Sequence, residues 1–96
     1  MKLEWTLYAL ADRDKIFDYI EAESPRSAVA VDEAIRDHVK QLLDFPESGR
    51  SGRVAGTREL VVTGLPYVVA YGISGDVVRI LRVLHHAQEW PDDIPH

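Results

Sequence analysis

The stretch from Asp76 to Trp90 constrains the fold of this chain more than any other, because its apolar run predicts a buried β-strand. The run is too short to cross a membrane and follows a turn signal, Ser-Gly-Asp, at residues 74–76. If side chains alternate strictly along this strand, Ile80 and Arg82 point to one face of the sheet and Arg79 and His85 to the other. Both faces would be mostly apolar, which is typical of a central strand. The aliphatic residues are Val77, Val78, Ile80, Leu81, Val83 and Leu84.

Charged and aromatic side chains occur within this strand and directly after it. Arg79 and Arg82 stand among hydrophobic residues, and His85, His86 and Trp90 follow where the strand runs out. A buried strand does not need such residues. We therefore treat them as candidate functional residues.

Helical spacing replaces strand alternation near the start of the chain. After a short strand over residues 2–6, residues 7–23 predict a helix with Leu10 in its apolar stripe and Asp12 among its solvent-facing charges. Ser24-Pro25 ends this helix and starts a second one, which runs to about residue 44. The short connection predicts an antiparallel helical hairpin. The two stripes are Leu10, Ile16, Phe17 and Ile20, then Ala28, Val31, Ile35, Val39 and Leu42.

The second half of the chain predicts a loop followed by three strands. Residues 45–56 are rich in glycine, and strands are expected over residues 57–62, 67–73 and the long apolar run. The order β-α-α-β-β-β predicts one α+β domain over residues 1–96, with the helical hairpin on one face of a small antiparallel sheet. The first strand should join the edge of the sheet. The opposite face should be open, as a groove or a partner site.

Composition excludes several classes of function. The chain has no cysteine, which removes disulfides, thiolate metal sites and a cysteine nucleophile, and we expect a cytoplasmic protein. No metal site, cofactor or nucleotide-binding motif is predicted. The net charge of -5 argues against indiscriminate binding to nucleic acid or to an anionic membrane, and we expect no direct sequence-specific DNA binding. No lysine follows Ser48, and every cation there is an arginine, suited to bidentate contact with phosphate or carboxylate: Arg50, Arg53, Arg58, Arg79 and Arg82.

Six segments, in this order along the chain, carry a resemblance to a known protein family. They are Leu3-Glu4-Trp5, Ile16-Phe17-Asp18-Tyr19-Ile20, Phe45-Pro46-Glu47-Ser48-Gly49-Arg50, Gly56-Thr57-Arg58-Glu59-Leu60, Pro66-Tyr67-Val68-Val69-Ala70-Tyr71 and Arg79-Ile80-Leu81-Arg82-Val83-Leu84-His85-His86. In these segments the chain resembles the RelE/ParE superfamily, the toxins of type II toxin-antitoxin modules. The resemblance covers nearly the whole chain and implies an intracellular, growth-inhibiting toxin that a cognate antitoxin neutralises, in modules that include plasmid stabilisation systems.

The superfamily implies two activities on one fold, so the fold cannot choose between them. One branch cleaves mRNA on the ribosome, and the ParE-like branch acts on DNA gyrase. The Phe-Pro-Glu-Ser-Gly loop and the acidic total look more like the ParE-like branch, which we prefer. A ribosome-dependent mRNA endonuclease is the alternative. A non-toxic binding module on the same fold is a third possibility.

The resemblance supplies catalytic candidates if the chain is a nuclease. Metal-free RNA cleavage needs a proton acceptor, a proton donor and cations around the phosphate. Arg58 and Arg82 would hold the phosphate, and His85 or His86 would exchange protons. The loop at residues 45–56 departs from many nuclease members, because it offers arginines where they supply lysines.

The remaining candidates are binding residues. Arg50, Arg53, Arg79 and Trp90 are expected to contact the antitoxin or the toxin's target. Acidic antitoxin tails would be attracted to the arginines, so this binding should depend on salt.

Overall fold

Two helices pack on a five-stranded sheet in the computed structural model, which describes residues 1–95. This confirms the predicted α+β fold, including β1 at an edge of the sheet, whose strand order is β1-β5-β4-β3-β2. The short strand β2 lies inside the segment predicted as a loop. The elements are β1 (Lys2–Trp5), α1 (Leu7–Glu21), α2 (Pro25–Lys40), a 3₁₀ turn (Gln41–Leu43), β2 (Arg50–Ser51), β3 (Arg58–Val61), β4 (Tyr67–Ser74) and β5 (Val77–His85).

The sheet is mixed, whereas the sequence predicted an antiparallel one. β1 runs parallel to β5, with Lys2 beside Val77 and Trp5 beside Ile80, and the other pairings are antiparallel. A parallel pair needs a long crossover, which the helical hairpin and the three other strands provide. Thr6 ends β1 and caps α1, because its hydroxyl oxygen accepts a hydrogen bond from the Ala9 amide at 3.1 Å.

The main core lies between the helices and the sheet. The stripe predicted for α2 is confirmed, since Ala28, Ile35, Val39 and Leu42 are buried and Val31 packs against the core. The cap predicted at Ser24 is also present, with its hydroxyl accepting from the Ser27 amide at 3.2 Å. Val62, directly after β3, and residues of the sheet complete this core; the sheet residues are Tyr67, Val69, Tyr71, Val78, Ile80 and Val83.

The inward face of α1 differs from the predicted one. Leu10, expected in the core, is 39% exposed, while Ala9 and the acidic Asp12 are buried. Arg13 also faces inward and forms a bidentate ion pair with Asp32 of α2 at 2.9 and 2.8 Å. The helix therefore carries polar groups on its packed side and leaves apolar residues on its outer side.

A β-bulge interrupts β5 at Leu81. Ala70 pairs with Arg82 while Tyr71 pairs with Ile80, so Leu81 is the extra residue on β5. Ile80 and Val83 consequently both face the helix-side core, and Leu81 joins a cluster on the opposite face. The strict alternation predicted from the sequence is thus wrong beyond Ile80.

The sheet face opposite the helices is partly covered, although it was predicted to be open. Ile94 is 1% exposed and packs with Val54, Ala70 and Leu81, and Trp90 borders this group. The segment after β5 therefore folds back across the sheet. Over residues 1–95, no helix is long and apolar enough to span a bilayer.

Candidate functional site

Arg82 on β5 forms an ion pair with Asp12 of α1, beyond the point where β1 stops pairing with β5. Its Nε and Nη2 donate to the Asp12 carboxylate at 2.7 and 3.0 Å, and the Val83 amide donates to the same carboxylate at 2.9 Å. β1 pairs with β5 only as far as Ile80, so Asp12 satisfies an edge amide beyond the end of β1. Hydrogen bonding to Asp12 raises the pKa of the Arg82 guanidinium. Arg82 thus ties α1 to β5 and stays charged.

Glu59 anchors two of the predicted binding arginines. It is 3% exposed on β3, and its carboxylate accepts hydrogen bonds from the Arg50 guanidinium at 3.0 Å and from the Arg53 amide at 2.8 Å. The Arg53 guanidinium adds a contact at 3.1 Å. Burial by itself raises the pKa of the Glu59 carboxyl, but the hydrogen bonds from Arg53 and Arg50 outweigh burial and hold this pKa below its ordinary value of 4.5.

The same cluster includes Trp90. The Arg53 guanidinium carbon lies 3.7 Å from the centre of the indole ring, within the range of a cation–π contact. The side chains of Arg50 and Arg53 are still 58% and 45% exposed. Both arginines are oriented by Glu59 and remain accessible to a partner.

Arg79, the last predicted binding arginine, pairs with β1. Its Nε donates to Glu4 at 3.0 Å, and the two side chains are 32% and 55% exposed. Exposed pairs of this kind contribute about 0–1 kcal/mol. Arg79 therefore remains available to a competing acidic group.

Arg58 and Tyr71 fix the loop before β2. Arg58 Nη1 donates to the carbonyl oxygens of Gly49 at 2.9 Å and Glu47 at 3.3 Å. The Tyr71 hydroxyl donates to the Pro46 carbonyl at 2.8 Å and accepts from the Gly49 amide at 2.9 Å. A Cβ on Gly49 would lie 2.5 Å from that hydroxyl oxygen, so glycine permits the close approach.

Replacing Tyr71 with phenylalanine should destabilise the fold by about 1–2 kcal/mol, because a buried amide and a carbonyl lose their shared partner. The ring itself would stay packed. Chemical denaturation of the wild type and the variant measures this difference. Tyr8→Phe is the control, since Tyr8 is 59% exposed on α1. Equal stability of Tyr71→Phe and the wild type would show that the loop does not depend on this hydroxyl.

The two histidines lie together at the end of β5. Their rings stack with centroids 4.9 Å apart, and His85 meets Tyr67 edge to face at 5.6 Å. The Ala87 amide donates to His85 Nδ1 at 3.0 Å, which places the proton of a neutral ring on Nε2. A cavity of about 490 Å³, bordered by His85, Tyr67 and Tyr19, opens beside them. His86 is exposed.

Arg58 lies in a different part of the sheet from the predicted catalytic histidines. Arg58 pairs with Tyr71, and His85 pairs with Tyr67, which lies four residues before Tyr71 in β4. Strand geometry places the backbones of Arg58 and His85 roughly 16 Å apart, with β4 between their strands. The Arg58 guanidinium is also bound to the loop carbonyls. The structure brings His85 and His86 together but does not bring Arg58 to them.

Sequence reasoning gave no role to Asp12, Glu59 or Tyr71. Asp12 had a detectable signal, because it falls in helical register with Ala9 and Ile16, which are directed inward. The sequence signal for Glu59 was weaker: it is an acidic residue on a predicted strand, and two arginines precede that strand in the loop. Within residues 1–95, no group of three histidine or acidic side chains converges as metal ligands.

Comparison with known sequences gives a consistent result. The family model described as ParE toxin of type II toxin-antitoxin system, parDE, matches residues 3–90. "Putative toxin Y4kP" of Sinorhizobium fredii is 46% identical over 90 residues, covering 94% of this chain and 93% of the relative. "Toxin RelE2" of Caulobacter vibrioides is 39% identical over 84 residues, covering 88% and 93%.

Solved structures agree on the fold. A chain of the chromosomal ParDE TA system from P. aeruginosa superposes with a TM-score of 0.80 and 32% identity, covering 88% of this chain and 95% of that one. The YoeB/ParE toxin from Agrobacterium tumefaciens has a TM-score of 0.59 and 22% identity, covering 90% and 99%, and supports the fold alone.

Proposed function

The chain belongs to the ParE toxin family of type II toxin-antitoxin systems, and from this premise we propose that it inhibits growth by acting on DNA gyrase. As a type II toxin it has an antitoxin partner. The proposal is that its toxicity comes from binding gyrase in the cytoplasm and does not require cleavage of RNA by the toxin itself.

One observation carries this proposal: both candidate phosphate-binding arginines are bound to other groups of the chain, and one of them lies far from the histidines. Arg82 is paired with Asp12, Arg58 holds the loop carbonyls, and β4 separates Arg58 from His85. Metal-free RNA cleavage requires cations and proton-transfer groups around one phosphate. A toxin that acts by binding has no such requirement.

The stacked histidines favour the alternative, a ribosome-dependent mRNA endonuclease. Imidazoles exchange protons near neutral pH, and His86 is exposed at the end of β5. The name of the Caulobacter vibrioides relative includes RelE. Both activities are therefore included in one experiment.

The experiment is pulse labelling of bacteria after induction of this chain without antitoxin. Thymidine incorporation that falls before methionine incorporation supports gyrase as the target. Methionine incorporation that falls first supports the ribosomal nuclease. Normal incorporation of both, with the protein present, supports the non-toxic binding module.

His86→Ala should leave toxicity unchanged within about twofold if gyrase is the target. General acid–base catalysis contributes about 100-fold or more, so a nuclease that uses His86 should lose nearly all its toxicity. Growth of induced cultures at matched protein levels measures the difference. Thermal unfolding is the control, because the backbone hydrogen bond from the His86 amide to Pro66 at 2.9 Å survives the substitution. Loss of toxicity in a folded variant would contradict the gyrase proposal.

A further inference from the structure

The loop between the 3₁₀ turn and β2 displays a large aromatic side chain to solvent. Phe45 is 67% exposed, and Leu43 just before it is 38% exposed. Within residues 1–95, Phe45 belongs to neither apolar cluster, so packing in the core does not account for it. One exposed aromatic residue is ordinary by itself, and the backbone that carries it decides whether it can act as a binding anchor. We call residues 44–49 the Phe45 loop.

Hydrogen bonds fix the backbone of the Phe45 loop from end to end. The Phe45 amide donates to the Gln41 carbonyl at 2.9 Å, and the Phe45 carbonyl accepts from the Ser48 amide at 3.1 Å. The side chains of Tyr71 and Arg58 bond to the backbone of the second half of the loop at distances between 2.8 and 3.3 Å. A side chain on such a backbone loses little conformational freedom on binding, which favours affinity.

Acidic side chains flank the exposed ring. Asp44 and Glu47 are both exposed, and over residues 1–95 neither carboxylate forms a salt bridge within the chain. The whole chain also carries a net charge of -5. A partner surface with lysines and arginines around an apolar pocket would therefore attract the Phe45 loop.

The form of the Phe45 loop favours a folded partner with a pocket. The loop is irregular and provides neither a strand edge nor a helix face, which are the surfaces that bind a helix or an extended strand. A rigid loop with one aromatic anchor instead matches a preformed pocket, because inhibitor loops that insert into enzymes keep their shape on binding. A cavity of about 410 Å³ beside Phe45, lined by residues 44–48, leaves room for a side chain from the rim of that pocket.

We propose that the toxin engages its target through the Phe45 loop, with Phe45 in an apolar pocket and with Asp44 and Glu47 facing basic residues at the rim. This inference rests on the proposed function for the identity of the target, DNA gyrase. An enzyme that binds DNA carries lysines and arginines where it contacts the phosphates, and such a surface is complementary to the acidic loop. Ribosomal RNA would repel the same carboxylates.

The test measures inhibition of gyrase supercoiling by purified variants, and growth inhibition by the same variants at matched protein levels. Phe45→Ala should raise the toxin concentration for half-maximal inhibition by about 30-fold or more, because a central aromatic anchor carries a large share of interface affinity. The same substitution should restore growth of induced cultures. Val61→Ala is the control, since Val61 is 46% exposed at the end of β3. It should change inhibition by less than about twofold.

Charge reversal provides a second variant that keeps the aromatic anchor. Asp44→Lys combined with Glu47→Lys should weaken inhibition at low salt, and raising the salt concentration should narrow the gap to wild type. A reaction without toxin at each salt concentration corrects for the salt dependence of gyrase itself. Thermal unfolding checks that these exposed substitutions leave the fold intact. Calorimetric titration of both variants with the purified antitoxin should give the wild-type affinity within about twofold.

Wild-type potency of folded Phe45→Ala in both assays would overturn the proposal. Weakened antitoxin binding with unchanged toxicity would assign the loop to the antitoxin and also contradict it. A wild-type chain that arrests growth without inhibiting gyrase would contradict the gyrase proposal alone, and the growth assay would then decide the role of the loop. In that case restored growth with Phe45→Ala supports target engagement through the loop, whereas persistent arrest overturns it. A wild-type chain that causes no growth defect would overturn both proposals.

Discussion

Replacing Asp12 with alanine is expected to lower the free energy of unfolding by about 3 kcal/mol. The change leaves Arg82 without its bidentate partner and the buried Val83 amide without an acceptor. The Arg82 side chain is 26% exposed, so water would offset part of the lost ion pair. Water does not compensate the buried Val83 amide in this way. Urea denaturation measures the difference between wild type and variant.

Two further variants separate the ion pair from general damage to α1. Asp14→Ala, an exposed acid on the same helix, should change stability by less than about 0.5 kcal/mol. Asp12→Ala combined with Arg82→Met should cost less than the sum of the two single changes, because the second change removes the unpaired charge. Additive costs would show that Asp12 and Arg82 do not stabilise each other.

Replacing Glu59 with glutamine should destabilise the protein by about 2 kcal/mol at neutral pH. The amide group carries no charge and directs donor hydrogens toward donors on Arg50 and Arg53. Because these arginines are largely exposed, solvent reduces the loss of the ion pairs. The Arg53 backbone amide, which donates to Glu59 at 2.8 Å, depends on the same carboxylate.

The lowered pKa of Glu59 predicts that the stability of the protein depends on pH. Its pKa in the folded protein lies below the ordinary value of 4.5, so the unfolded chain binds this proton at a higher pH than the folded one. The stabilising effect is therefore complete above about pH 5 and is lost as pH falls through the folded pKa. Denaturation curves of Glu59→Gln should show a weaker decline below pH 4.5 than those of the wild type. Equal slopes would contradict the assigned pKa shift.

Much of the fold was predictable because local patterns and long-range packing agree. The Ser24-Pro25 cap, the stripe of α2 and the tight turn before β5 all occur as the sequence indicates. These features depend on residues close together in the chain. The direction of β1 was not predictable in this way, because it is set by pairing with β5, a strand more than 70 residues away in the sequence.

The interior of β5 shows where alternation fails. A bulge shifts every later residue to the other face, and here one extra residue, Leu81, moves Val83 into the helix-side core. The neighbouring Val83 amide bonds to Asp12, an acid more than 70 residues away in sequence. Only the folded arrangement of α1 and β5 brings these groups together. The same contact explains why an acid on α1 faces inward.

The candidate site was predictable in residue type more than in arrangement. The arginines after Ser48 were recognisable as a group, yet their partners were not. Arg50 and Arg53 are oriented by Glu59, whereas Arg82 is oriented by Asp12. Ion pairs of this kind join elements that are separate in sequence.

The most direct test of the proposed function is a supercoiling assay with purified DNA gyrase, relaxed plasmid and the purified chain. We expect the chain to inhibit supercoiling, and an equimolar amount of antitoxin to restore it. His86→Ala should inhibit as well as the wild type, because this inhibition requires no proton transfer by the toxin. Full supercoiling at every toxin concentration, with mRNA cleaved in a parallel reaction containing ribosomes, would contradict the gyrase proposal and establish the nuclease.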